Sequence, residues 1–323
     1  MRFLPTEEQS DYARTLRSLL GAAAVPATVR AWAAGDHGPG LALWSRLAGT
    51  GLFALAVPEA HDGAGPLPVE LALGYTELGR AGVPGPVVET AAAAVLLAEL
   101  GDETLAKRFL PGLASGSAPV TVTLPGGSPY ALDADAAAHR FTVTDTGELR
   151  LADGPGDPLA STDPARRLYR PAEAGELLAA GPAVTAAAGT ALRWARLLTA
   201  AQCLGVGEAL LARTVEYAKQ RTQFGTPIGG FQAVKHRLAD TLLALEFARP
   251  LLWAAALSLS RRDVAAAKLT AGEAAYAAAL TALQLHGAVG YTEELDLSLW
   301  LRKARPLRDA WGGPSQCRAE VVG

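Results

Sequence analysis

Arg221, Gln223 and Phe224 set a cation, an amide and an aromatic ring within four residues of one another. A guanidinium fork matches phosphate oxygens, and a ring beside it suits a flat group that carries such an anion. The same residues could equally belong to a plain helical hairpin, with the arginine in water and the ring in the core. A second candidate phosphate site is Gln284 to Gly290, where Gly287 and Gly290 keep side chains away from the backbone. Taken alone, two such glycines also make an ordinary turn between helices. The carboxylates that could move a proton are Glu208, Glu293, Glu294 and Asp309. Glu293 and Glu294 already have a role behind Thr292, which reads as the cap of the next helix. Glu208 occupies an ordinary polar helix position, facing water or another helix, and Asp309 sits at a helix end. His61 has no partner in sequence and reads as a solvated loop residue. Cys203 and Cys317 lie far apart with no companion at ligand spacing, so neither a metal site nor a disulfide framework is indicated.

Long helices must position these groups. From Leu204 to Gln220 the chain has helix formers with apolar residues at Leu210, Leu211, Val215 and Ala218. Gly225, Pro227, Gly229 and Gly230 then break the pattern, because proline lacks the amide donor and glycine loses too much backbone freedom. The helical period resumes at Phe231, with Val234, Leu238, Leu242 and Leu245 on one stripe. Helical segments near 184–220, 231–260, 263–286 and 293–306 predict an up-and-down four-helix bundle over residues 183–323. Residues 1–117 are also helical, with breaks at Gly35 to Gly40 and Pro58 to Pro68. Thr6 is placed to cap the first helix, and Phe3, Tyr12, Leu16 and Leu19 form its inner face. Residues 118–182 alternate apolar and polar at Val120–Leu124, Phe141–Thr144 and Glu148–Leu151, which predicts a small antiparallel β-domain. The fold class is mainly α with this β-domain between two helical parts.

With 323 residues, half of them hydrophobic, the chain can bury two or three packed layers. A net charge of −3 and a pI near 6.0 leave no electrostatic footprint for nucleic acid or an anionic membrane. The first residues turn acidic at Glu7 and hold no apolar run of signal-peptide length. The Ala-rich stretches at 90–98 and 183–201 are bounded or interrupted by Glu89, Arg193 and Arg196, which reads as buried helices of a soluble, cytoplasmic protein.

The segment Tyr217, Arg221, Gln223-Phe224-Gly225, Pro227-Ile228, Phe231-Gln232, Leu238-Ala239-Asp240 closely resembles the signature of the acyl-CoA dehydrogenases. Gly51–Gly65 is similar to the family's Gly-Leu…Val-Pro-Glu…Gly-Gly-Ala-Gly segment, and Glu70–Gly79 to the helix after it. Gln284–Tyr291 matches its Gln…Gly-Gly-x-Gly-Tyr segment, and Asp163–Leu168 resembles the compact steroid-degradation type. The resemblance covers essentially the whole chain. It implies a flavoprotein with three parts, helices, β-domain and helical bundle. It further implies FAD held by Arg221, Gln223, Phe224, Gln284, Gly287, Gly290 and Gln316, in part across a subunit interface. Arg302 matches a structural arginine of the family.

The catalytic carboxylate that the family needs is missing. The resemblance puts it at Gly312, within Trp311–Gln316, or in some members at Ala195. Pro314 replaces a cofactor-binding threonine. Residues Thr123–Ser128 keep only a reduced form of the flavin-ring loop, with Leu124 where an acid stands in the family. Asp309, three residues before Gly312, is a substitute base that could swing toward the same pocket. Three functions remain open. One is a subunit that dehydrogenates an acyl-CoA to its trans-2-enoyl product with a partner chain that brings the glutamate. The others are a homo-oligomeric enzyme with a non-standard base or altered reaction, and a non-catalytic assembly protein.

Overall fold

The computed structural model describes residues 4–172 and 174–323. Six helices come first: α1 (Glu7–Gly21), α2 (Val25–Ala33), α3 (Gly38–Ala48), α4 (Pro68–Ala81), α5 (Val87–Leu100) and α6 (Glu103–Ala114). Thr6 does cap α1: its hydroxyl accepts from the Gln9 amide at 3.2 Å while the Gln9 side chain accepts from the Thr6 amide at 2.9 Å. The inner face of α1 is Ala13, Leu16 and Leu20, with Tyr12 and Leu19 half-buried, and Phe3 lies outside the described residues. His61 is not the solvated loop residue expected. It ends a 3-10 turn with its side chain 13% exposed and Nε2 3.8 Å from Glu103.

Seven strands follow: β1 (Val120–Thr123), β2 (Ala131–Leu132), β3 (His139–Val143), β4 (Glu148–Ala152), β5 (Asp157–Leu159), β6 (Leu168–Arg170) and β7 (Gly175–Ala180). They form a four-stranded sheet in the order β1-β3-β4-β7 and a three-stranded sheet in the order β2-β6-β5. The expected sheet was wholly antiparallel, but β1 and β3 run parallel, Val120 opposite His139. The reason is the connection: the residues between them do not form a hairpin but add β2 to the second sheet before the chain returns.

The last part is α7 (Pro182–Gln220), a two-stranded hairpin of β8 (Thr222–Gln223) and β9 (Thr226–Pro227), then α8 (Gln232–Ser258), α9 (Arg261–His286), α10 (Leu297–Asp309) and α11 (Pro314–Val322). Helix α10 begins at Leu297 rather than 293, so Thr292 does not cap it. The Thr292 hydroxyl instead donates to Val289 O at 2.9 Å and accepts from the Glu294 amide at 3.4 Å, a local turn.

Helix α7 is the axis of the protein, packed against α4, α5, α8, α9 and α10. It can approach α4 closely because the two cross at glycines. A Cβ on Gly205 would come 1.9 Å from Thr76 O, and one on Gly79 would come 2.2 Å from Gln202 O. Both α7 and α8 are long and apolar enough to cross a bilayer by composition alone. The apolar stretch of α7 is 83% buried, the place of a core helix, against 39% for α8. Leu242, Leu243, Phe247, Leu251 and Leu257 of α8 are exposed, although Leu245 on the same helix is buried.

Candidate functional site

Arg221 follows the last residue of α7, where its amide donates to Tyr217 O at 2.9 Å. The chain then pairs Thr222 with Pro227 and Gln223 with Thr226, and turns through Phe224 and Gly225, which have φ of +53° and +80°. Two positive φ values at the tip are the pattern of a type I′ hairpin turn. Glycine adopts it freely, whereas phenylalanine there costs on the order of 1 kcal/mol or more. Its ring is 94% exposed and faces Phe231 edge-on, with centres 6.3 Å apart. The Arg221 and Gln223 side chains are exposed as well, and Arg221 makes no side-chain hydrogen bond or ion pair among the described residues.

The structure brings the second segment next to this hairpin. Tyr217, one turn before Arg221, stacks on His286 with ring centres 4.1 Å apart, and its hydroxyl donates to His286 O at 3.4 Å. The His286 Nδ1 lies 2.7 Å from Ala282 O, and burial holds its pKa below the usual histidine value. Gly287 stops α9 with φ +62°, and a Cβ there would meet nothing within 4 Å. Its amide is used on Leu283 O, so the open side is what the glycine offers to a ligand. Gly290 is buried in the following turn, while Gln284 is exposed one turn earlier. The half-buried Arg302 pairs with Glu293, and with Gly290, Leu283 and Arg305 it lines an open cleft of about 340 Å³.

Gln316 and the two base slots lie elsewhere. Ala195 and Arg221 are 26 residues apart on α7 and its end, about 39 Å along a helix. Gln316 Nε2 donates to Gly126 O at 2.9 Å, which ties the shortened 123–128 loop to α11. Gly312 is buried with φ +137°, and a Cβ there would sit 3.0 Å from Arg196 Nε. Arg196 and the Cys317 sulfur, 3.2 Å from that Cβ, thus crowd the place where a side chain at 312 would start. Arg196 is 2% exposed, donates from Nε to Trp311 O at 2.7 Å and from Nη1 to Glu320 at 2.7 Å, and leaves Nη2 buried without a partner among the described residues. Lys268, also buried, adds bonds to Arg308 O at 2.7 Å and Gly312 O at 3.3 Å, and burial pulls its pKa down.

Two carboxyl groups that sequence reasoning passed over face the inner side of this turn. Trp311 Nε1 donates to Glu89 at 3.2 Å, and Glu89 is 3% exposed. Burial raises its pKa against the pull of Arg166. Asp133 is fully buried, and burial raises its pKa to about 7 although Trp32 Nε1 donates to Oδ1 at 2.9 Å. Its Oδ2 has no partner among the described residues. These groups, with Arg166, Gln202 and Lys303, line an enclosed space of only about 10 Å³, room for roughly one water. The signal was present in the sequence: Glu89 and Arg196 stand in Ala-rich helical runs, and a charge there must find partners inside. The substitute bases are occupied. Asp309 is half-exposed at the end of α10, where Arg308 Nε donates to it at 3.1 Å, and Glu208 is bonded by Arg80 and by Arg249 at 2.7 Å.

A helical N-terminal part, a two-sheet β region and a bundle with an exposed Arg-x-Gln-Phe hairpin define the acyl-CoA dehydrogenase architecture. Residues 6–117 match the family model described as acyl-CoA dehydrogenase, N-terminal domain, and residues 185–323 match acyl-CoA dehydrogenase, C-terminal domain. The acyl-CoA dehydrogenase IpdE2 of Mycobacterium tuberculosis is 37% identical over 305 residues, 93% of this chain and 92% of that protein. The ChsE4-ChsE5 complex of Mycobacterium tuberculosis is similar in structure, with a TM-score of 0.85 at 26% identity over 100% of this chain and 98% of that one. A steroid ACAD, Tcur3481-Tcur3483, gives a TM-score of 0.84 at 27% identity over 98% and 97%. The chain belongs to the acyl-CoA dehydrogenase family of oxidoreductases.

Proposed function

We propose that this chain is one subunit of a heteromeric acyl-CoA dehydrogenase. The complex converts an acyl thioester to its trans-2-enoyl product, and a partner chain brings the glutamate that takes the α-proton. The observation that carries this reading is Arg196, whose buried guanidinium crowds the place where a side chain at Gly312 would start. A cation in that place cannot accept a proton, and the 10 Å³ space behind Trp311 is too small for an acyl chain. Bulky thioesters such as steroid side chains are the substrate class we extend to it from the steroid ACAD.

The loop end of the bundle fits FAD. Arg221 has a free guanidinium for a diphosphate, Phe224 and Gln223 stand beside it, and Gly287 leaves the backbone bare at the adjoining helix end. FAD, when bound, accepts the hydride from the β-carbon. The separation of about 39 Å along the helix between Ala195 and this end favours contact with a cofactor held largely by the neighbouring chain. The uncovered apolar face of α8 supports an oligomer, since a stripe of this kind is normally buried against another surface. The ChsE4-ChsE5 neighbour is itself a complex of two named chains.

The test is co-expression. This chain alone should purify with little flavin and no dehydrogenase activity, and both should appear when a glutamate-bearing chain from the same source co-purifies. Full turnover by the single chain would overturn the reading.

A further inference from the structure

Between α1, α2, α4, α7 and α10 an open cleft of about 270 Å³ reaches inward. Leu20, Val25, Pro26 and Ala81 give it apolar walls, and the buried Trp300 closes its end, with Nε1 donating to Arg80 O at 3.0 Å. Three guanidiniums line it, from Arg17, Arg80 and Arg213, against one acid, Glu77. Two of the three cations are neutralised. Arg17 grips Glu77 with two bonds of 2.7 and 3.0 Å, and Arg80 bonds Glu77 at 3.2 Å as well as Glu208.

Arg213 is left over. Its guanidinium lies 3.8 Å from the centre of the Trp300 ring and makes no hydrogen bond or ion pair among the described residues. Asp296, the acid that attracts it through space, is itself bonded to Arg30 at 2.7 Å. A guanidinium seated over an indole ring with no acceptor on it keeps its N–H groups available, and such a fork binds carboxylate or phosphate oxygens. A few charged donors at one end of an apolar cleft orient a ligand that has both characters.

We propose that this cleft binds a small molecule with one anionic oxygen group on an apolar body. Arg213 takes the anion, and Leu20, Val25, Pro26 and Ala81 take the body. The site is separate from the Arg221 hairpin and from the Gly312 turn.

The experiment is calorimetric titration of the assembled protein with octanoate, octyl phosphate, inorganic phosphate and octanol. Octanoate or octyl phosphate should bind at least about tenfold more tightly than phosphate or octanol, and whichever binds tighter identifies the head group. Arg213→Met keeps the apolar stem and should weaken the better ligand about tenfold. Gly21→Phe puts a ring into the cleft, where a Cβ meets nothing within 4 Å, and should weaken it as much. Flavin content should stay unchanged in both. Octanol binding as tightly as octanoate, binding that both variants retain, or no binding by any of the four probes would overturn the proposal.

Discussion

At the C-terminal end of α7, Arg221 and Phe224 stand in solvent on a hairpin turn. Toward the other end of the same helix, Arg196 is 2% exposed and tied to Trp311 and Glu320. The two arginines are the same residue type on one element, yet their surroundings give them opposite roles. A guanidinium in water can be offered to a ligand or another chain without disturbing the fold. A buried one has already lost its hydration and is held by the partners that replace it. The loop end is therefore suited to recognition, and the Gly312 turn to closure.

The largest effect should come from opening the closed end. Arg196→Met leaves Glu320 with only the exposed Arg261 and leaves Trp311 O without its donor. Breaking a buried pair in this way costs about 3–5 kcal/mol. Denaturant unfolding of the variant should show a loss in that range, and a loss under about 1 kcal/mol would mean that the guanidinium merely fills space.

Next comes the open end, where the prediction has the reverse form. Arg221→Ala should leave unfolding stability within about 0.5 kcal/mol, because the side chain is exposed and makes no hydrogen bond or ion pair among the described residues. In the co-purified complex it should weaken FAD retention by about a hundredfold, through the loss of a charge-assisted fork on the diphosphate. Equal flavin content in variant and parent would remove the hairpin from the cofactor site.

These two ends were not equally legible in the sequence. The Tyr217–Gln232 segment could be read because a loop states its conformation locally: glycines and a proline break two strong helical periods. The main helices of the bundle were expected within a few residues of where they lie, apart from α10. Its start was misplaced because Thr292 caps a turn of its own rather than a helix. The parallel pairing of β1 with β3 depends on where the chain goes between them, which strand alternation does not record. The closure of the Gly312 turn was harder still. Arg196 meets Trp311 and Glu320 more than a hundred residues away, and nothing in local spacing announces such a partner. The same holds for Glu89, whose partner Trp311 is 222 positions distant.

The smallest of the three effects sharpens the contrast through pH. Burial raises the Asp133 pKa to about 7, and in the unfolded chain the group ionises near 4. Between those values the folded protein keeps a proton that the unfolded chain has lost, so its stability falls as pH rises through the window and levels off above it. Asp133→Asn removes this titration while keeping the acceptor for Trp32. A rise of that size corresponds to about 4 kcal/mol, but the new amide N–H would replace the unpartnered Oδ2 and cost about 2 kcal/mol of that if it finds no acceptor. The variant should therefore be on the order of 2 kcal/mol more stable than the parent at pH 8, and at pH 4.5 the advantage should vanish or reverse. Unfolding curves at the two pH values decide the matter, with Arg221→Ala as the control that shifts little at either. A constant difference between parent and Asp133→Asn would place the titrating charge of the closed end on another group, of which Glu89 is the nearest in kind.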